Sequence, residues 1–450
     1  MTTENRLQKQ SVSKSFFQYL IPSLIGMALL SVNIIIDGIF VGHGVGSVAL
    51  AAVNVASPVF SIFLSIALLI GIGGGAVYSM MLGKNEVHQA QRIFTTAMAL
   101  VTVITFVISI ISYLFMEQLA FFFGANEETL PFVVEYIRIL LIFSLFVVWE
   151  SALSVFVRND GNPNLAMLGL GATSLLNIAL NYWMIFILKL GVTGAALATV
   201  LSIVVGLLIL MTHFLKKTSH LKLVKIRFTF SEGKQIIYIG FPSFLSEVGF
   251  GVFVIGYNIV IAYHASTNGL AAFSVINYLH TFMFLMFMGI GSAIQPLVSY
   301  YYGANLFVKI KQLVKLAERT AVFLGGICLV GGYFGAMYLV SLFGITSQEI
   351  TDLAIQGIRL FFISYLFMGI NFIYVTYFQS IGYVKPALWI TICRSFLVFG
   401  LLLVVLPFFF GTPGVWLVLP GTEAIITLVL VLFARKGVVG KLADVQELNA

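Results

Sequence analysis

Apolar stretches long enough to cross a membrane recur from one end of this chain to the other, and nothing else constrains its fold as strongly. One runs through "SIFLSIALLIGIGGGAVYSMML", residues 61–82. About 18 or more such residues in a row read as a transmembrane helix. Twelve can be drawn, near 16–41, 50–80, 93–118, 132–157, 164–188, 194–215, 236–263, 270–301, 316–342, 353–380, 386–410 and 414–434. The short alternating segments of a transmembrane β-barrel are absent from the pattern. Composition agrees: 60% of the 450 residues are hydrophobic and 9% are charged, against about 25% charged in a soluble domain. The expected fold class is an all-α polytopic membrane protein.

The basic excess has a topological reading. Of the 24 Lys and Arg residues, 20 fall on one side once the twelve spans are drawn. The positive-inside rule makes that side cytoplasmic and places both termini there. The net charge of +7 therefore implies no nucleic-acid partner; the implied surroundings are a cell membrane crossed many times. The polar start, 1–15, reads as a cytoplasmic tail before a retained first helix, because no small-residue cleavage site interrupts the apolar run. Cys328 and Cys393 lie in apolar segments and offer neither a disulfide framework nor metal spacing.

The chain also repeats itself. "ALAAVNVASP" at 49–58 and "GLAAFSVINY" at 269–278 match at an offset of 220. At that offset Pro22 meets Pro242, Gly83 meets Gly303, Gly124 meets Gly344 and Gly191 meets Gly411, while Arg138 and Gly161 meet Arg359 and Gly382 at 221. So regular a series gives two six-helix bundles, 16–215 and 235–435, joined by the polar linker 216–234 and followed by a cytoplasmic tail, 436–450. Six is even, so both halves enter the membrane from the same side: parallel repeats related by a pseudo-two-fold axis along its normal. In transporters so built, one bundle moves against the other around a site at or near the repeat interface.

Polar residues inside the spans are the candidates for function. Asp37 follows three isoleucines near the end of the first span, although a carboxylate there costs roughly 2.5–3.5 kcal/mol on insertion scales. Asn33 lies one turn back on the same face. Asn177 and Asn181, in "NIALN", share a face of the fifth span, and Thr199 enters the same depth from the sixth. Oxygen-bearing side chains around one carboxylate suit a hard cation or a proton. "GIGGG" at 71–75 lacks the spacing and the strand-to-helix context of a nucleotide loop, so nothing points to ATP.

These segments resemble the multidrug and toxic compound extrusion (MATE) family: "DGIFVG", "GIGGG", "NIALN" and "GVTGAALAT" in the first half, "IQPLVSYYYGA" and "GVWLVLP" in the second. The resemblance covers nearly the whole chain and implies export of amphipathic, often cationic compounds in exchange for protons or sodium, with Asp37 as the coupling residue. It implies no enzymatic activity and no cofactor apart from the coupling ion. The partners it implies are small amphipathic substrates and the lipid bilayer, and the chain is expected to act as a monomer. One position departs from the pattern. Many members carry a second aspartate where this chain has Asn181, and the single remaining carboxylate makes a proton the simpler coupling ion.

Four further residues are candidate substrate contacts: Glu150 and Glu247 as acids for cationic compounds, Met283 and Met286 as adaptable surface in "HTFMFLMFMGI". Arg394 and Glu423, on adjacent spans at similar depth, are expected to pair and neutralise each other. The six histidines show no metal spacing. A flippase for a lipid-linked saccharide or peptidoglycan precursor is the alternative; it would need several cationic residues inside its cavity, and the spans offer Arg394 alone.

Overall fold

The computed structural model describes residues 7–225, 229–345 and 347–435. The tail expected over 436–450 and the first residues of the tail over 1–15 lie outside them. Every regular element among the described residues is helical, as a lipid-embedded backbone requires, since each N–H and C=O must find its partner within its own segment.

Seven long helices open the chain: α1 (Val12–Gly44), α2 (Ser47–Gly83), α3 (Val87–Leu114), α4 (Leu130–Ile142), α5 (Ser144–Asn159), α6 (Pro163–Asn181) and α7 (Gly191–Met211), with a two-turn helix, Met116–Phe122, between α3 and α4. Helices α4 and α5 form one span bent by 56° at Phe143. Six more follow: α8 (Phe230–Gly303), α9 (Phe307–Ser341), α10 (Gln348–Phe361), α11 (Tyr365–Ser380), α12 (Val384–Ile392) and α13 (Val398–Arg435). Two of these are each broken by one non-helical residue, α8 at Ser266 (φ 53°, ψ −157°) and α13 at Gly411 (φ 60°, ψ −140°). Helices α10 and α11 run on as one span, as do α12 and the first part of α13, so with those breaks the described helices make twelve spans.

The internal repeat is visible in the backbone. Left-handed φ values occur in pairs separated by the sequence offset: Gly46 (113°) with Ser266 (53°), Asn85 (61°) with Asn305 (56°), Gly124 (102°) with Gly344 (66°), Gly161 (85°) with Gly382 (74°), and Gly191 (59°) with Gly411 (60°); Lys189 (55°) stands outside the series. Glycine and asparagine bear such a conformation at least cost. Ser266 is the exception, a serine held where its counterpart is a glycine.

The chain divides into two compact units, Met1–Phe244 and Leu245–Ala450. The division falls inside α8, beyond the linker at 216–234, because the first turns of α8 pack with the first unit. Gly240 and Gly73 explain how. A Cβ at Gly240 would lie 1.7 Å from the Leu69 carbonyl oxygen, and one at Gly73 would lie 2.0 Å from that of Ile236. Backbone meets backbone there, which only glycine permits. The linker is tied to α3 as well: Val224 N–H donates to Thr95 Oγ1 at 3.1 Å, and Arg92 pairs with Glu232 at 2.8 Å.

Candidate functional site

In the first unit, three helices each contribute one polar face to a single cluster. Asn33 and Asp37 lie one turn apart on α1, Asn177 and Asn181 one turn apart on α6, and Thr199 is on α7. The Asn181 amide nitrogen donates to Asp37 Oδ1 through a short contact. Asn33 donates to Asn177 Oδ1 at 2.6 Å, Asn181 donates to the same oxygen at 3.0 Å, and Asn177 Nδ2 donates to Thr199 Oγ1 at 3.3 Å. Asn177 and Asn181 are buried, while Asp37, Asn33 and Thr199 are half-buried. All five residues singled out by spacing therefore meet in one network.

Oxygen and nitrogen of the Asn177 amide are interchangeable in this geometry; with the two exchanged, the nitrogen donates to Asp37 Oδ1 at 2.8 Å and the oxygen accepts from Thr199 Oγ1 at 3.3 Å. Asn181 Oδ1 is buried without a hydrogen-bond partner, so the cluster holds spare acceptor capacity.

Two local features frame this cluster. Directly after Asn181, residues Tyr182–Ile187 form a π-helical turn, a geometry common at functional sites. Toward the Gly44 end, Val41, Ala49, Ile185, Val192 and Ala195 form an apolar plug. Tyr136 on α4 packs against the plug, and its hydroxyl meets Thr199 within electrostatic range of Asp37. The sequence offers no signal for Tyr136, which sits in an apolar segment and joins the site through the fold alone.

The remaining candidates separate. Glu150 on α5 is buried and accepts a hydrogen bond from Thr173 Oγ1 at 2.8 Å. In the second unit, Glu247 is half-buried. Met283 and Met286 are buried, and the Cys328 thiol lies 3.1 Å from the Met283 sulfur. Neither methionine lines the small cavity of that unit, whereas His280 and Phe284 from the same stretch do, together with Arg394 and Glu423. Arg394 Nε donates to Glu423 Oε1 at 2.5 Å. Asn371 donates to Glu423 Oε2 at 2.6 Å, Thr427 donates to Asn371 Oδ1 at 3.0 Å, and the guanidinium stacks over Phe372 at 4.2 Å. Glu423 is wholly buried, with its charge balanced on the spot.

A second cluster in the first unit escaped the sequence reading. Asp160, in the turn after α5, accepts hydrogen bonds from Tyr78 OH at 2.8 Å, Ser219 Oγ at 3.1 Å and the His220 N–H at 3.0 Å, and faces His213 Nε2 at 2.7 Å. Burial works to raise the Asp160 carboxyl. Its hydrogen bonds with His213 and His220, any positive charge on His213 and the Tyr78 hydroxyl outweigh burial and hold it at about 2. The two histidines are seven residues apart and share no metal-ligand pattern with Asp160; the fold alone joins them.

Twelve apolar spans in two repeated halves, with one carboxylate set among amides inside the first, are the plan of a membrane transporter. The chain belongs to the MatE family, whose model matches residues 22–183 and 242–406, and it is a transporter, not an enzyme. Among curated relatives it is 27% identical to the multidrug export protein MepA of Staphylococcus saprophyticus over 416 residues, covering 91% of this chain and 90% of the relative. It is 26% identical to the Staphylococcus aureus MepA over 413 residues, with the same coverage. Among solved structures, an outward-facing multidrug resistance MATE transporter of the MOP superfamily superposes with a TM-score of 0.92 at 24% identity, over 97% of this chain and 98% of that one. A MOP superfamily transporter from Pyrococcus furiosus also reaches 0.92 at 24% identity, over 98% and 99%.

Proposed function

We propose that this protein is a cation-coupled antiporter that exports amphipathic, cationic organic compounds by alternating access, with a proton on Asp37 as the coupling ion. The relatives named as multidrug exporters support the substrate class. The observation that carries the coupling is the lone Asp37 carboxyl held among the amides of Asn177 and Asn181. A single carboxylate, with Asn181 where a second acid would add negative charge, favours a proton over a sodium ion. Protonated, Asp37 fits a dry site behind the apolar plug. Ionised, it requires water or donors, and so favours an open one. The flippase alternative finds less support, because Arg394 is neutralised by Glu423 and holds no spare charge for a pyrophosphate.

Proteoliposomes with imposed proton or sodium gradients test this reading. Asp37→Asn should abolish proton-driven uphill export of a cationic dye while leaving dye binding intact; full uphill export by the variant would refute the coupling role. The expected orientation, with both termini and the linker cytoplasmic, is tested by single cysteines at exposed Thr218 and Ser347. An impermeant thiol reagent applied to intact cells should reach Ser347→Cys only, and labelling of Thr218→Cys would invert the topology.

A further inference from the structure

The seam between α6 and α7 stays polar well beyond the Asp37 cluster. Thr173 is one turn before Asn177 on α6, and Ser202 lies about one turn after Thr199 on α7. Ser202 Oγ donates to the Thr199 carbonyl at 2.7 Å. Thr173 Oγ1 lies 3.4 Å from the Ser202 carbonyl and 2.8 Å from Glu150 Oε1. With the contacts from Asp37 through Asn181 and Asn177 to Thr199, polar groups line the seam from half-buried Asp37 to buried Glu150, joined between Thr199 and Ser202 through the α7 backbone. Thr173 precedes Asn181 by eight residues, so Glu150 lies about 12 Å further along the seam at 1.5 Å per residue.

Two observations set Glu150 apart from an ordinary interhelical hydrogen bond. The first is the absence of a counter-charge. Helix α5 packs against α2, α3, α6 and α7, yet among the described residues of those helices no charged or titratable side chain bears on Glu150, and Thr173 is its hydrogen-bond partner. A buried carboxylate without a partner charge is costly, and taking up a proton removes that cost. The second is the repeat. At an offset of 221 Glu150 meets Asn371 and Thr173 meets Arg394. The second unit thus places an uncharged amide, beside an ion pair already neutralised, where the first unit keeps an acid with no cation.

Thr173 has one hydroxyl proton and two acceptors within reach. While Glu150 is ionised, the carboxylate holds that proton, because a charged acceptor is the stronger one. When Glu150 takes up a proton, the hydroxyl is free to turn to the Ser202 carbonyl, on the stretch of α7 that also carries Thr199. The protonation of Glu150 is thereby felt along the seam that ends at Asp37.

We propose that Glu150 is a second proton-binding carboxyl of the first unit, linked to Asp37 through the α6–α7 seam, so that each transport cycle carries two protons. This proposal rests on the reading of Asp37 as the coupling group. The test counts protons per molecule exported by the full-length protein in proteoliposomes, with ethidium as the cationic probe and pyranine as the internal pH reporter. The wild type should move two protons per ethidium, Glu150→Gln one, and Asp37→Asn none. If Glu150→Gln keeps the wild-type ratio while Asp37→Asn is uncoupled, the role of Glu150 is overturned and that of Asp37 stands. If Asp37→Asn still exports uphill, the underlying reading is overturned first. A raised KM for ethidium at an unchanged proton ratio would make Glu150 a substrate contact and refute the proposal. Thr173→Val serves if Glu150→Gln fails to fold. It retains the acid and should keep the two-proton ratio while shifting the pH midpoint of export, and an unshifted midpoint would remove the seam from the account.

Discussion

The two units share a backbone plan and differ in what they place on it. At the repeat offset Asp37 corresponds to Tyr257, and Thr199 to Leu419. In the first unit these positions belong to the polar cluster. In the second, the Leu419 N–H donates to Tyr257 OH at 3.0 Å, and the Tyr257 ring stacks on Phe273 with centroids 5.0 Å apart. Chemistry that could respond to a proton in one unit is a sealed aromatic core in the other. The ionic groups differ in the same sense: the second unit pairs Arg394 with Glu423, whereas Asp37 and Glu150 have amide and hydroxyl partners. Duplication preserved the turns, where φ is demanding, and released the side chains. The first half keeps Asp37 and Glu150 without a partner charge; in the second, Arg394 neutralises Glu423 while Glu247 stays a half-buried acid.

The largest effect that would break this contrast is at Asp37. Asp37→Asn removes the group whose charge separates the open and closed states, so it should abolish uphill accumulation in the vesicle assay. Tyr257→Phe, its counterpart, should leave accumulation unchanged in the same vesicle assay. A comparable loss at both positions would mean the units are not divided in this way.

Next in size is the ion pair. Removing either Arg394 or Glu423 alone strands a buried charge and should cost about 3–5 kcal/mol, read as lowered thermal stability in detergent. The double variant Arg394→Met, Glu423→Gln should recover much of that loss, and strictly additive losses would deny the coupling.

Smaller again is the acid sensitivity of the Asp160 cluster. A folded value held at about 2 against an ordinary 3.8 gives stability that is present above the ordinary value and lost as pH falls towards 2. Its size is on the order of 2 kcal/mol. Asp160→Asn should lower stability at neutral pH and flatten the loss below pH 4. The second unit has Ile381 at the equivalent position, where substitution by Val should leave the acid limb as it was. The smallest effect is structural: Tyr257→Phe removes one hydrogen bond to Leu419 and should cost about 1 kcal/mol in the same melts.

Much of this molecule could be read before its structure. Span lengths, charge placement and the offset repeat specify twelve helices in two halves, because lipid leaves few alternatives. Asp37, Asn33, Asn177 and Asn181 were legible as well, since one-turn spacing puts them on shared faces of helices that run the same way. Other features depend on contacts that no local pattern encodes. Tyr136 looks like any aromatic residue of an apolar span. His213 and His220 form a cluster only because the linker folds back over the turn at Asp160. Met283 and Met286 had the composition of a flexible binding surface, yet rotation of their helix buries both and turns His280 and Phe284 to the cavity instead.

The approach of Gly240 to the Leu69 carbonyl has a consequence for how the protein is made. The first unit has its full set of neighbours only when residues 230–244 are in place, so translation must run past the linker before the first half can close. A gene cut within 216–234 would yield an amino-terminal fragment with a bare strip of backbone along α2, and a carboxy-terminal fragment bearing the glycine helix that covers it. The two pieces should accumulate only when synthesised together in one cell.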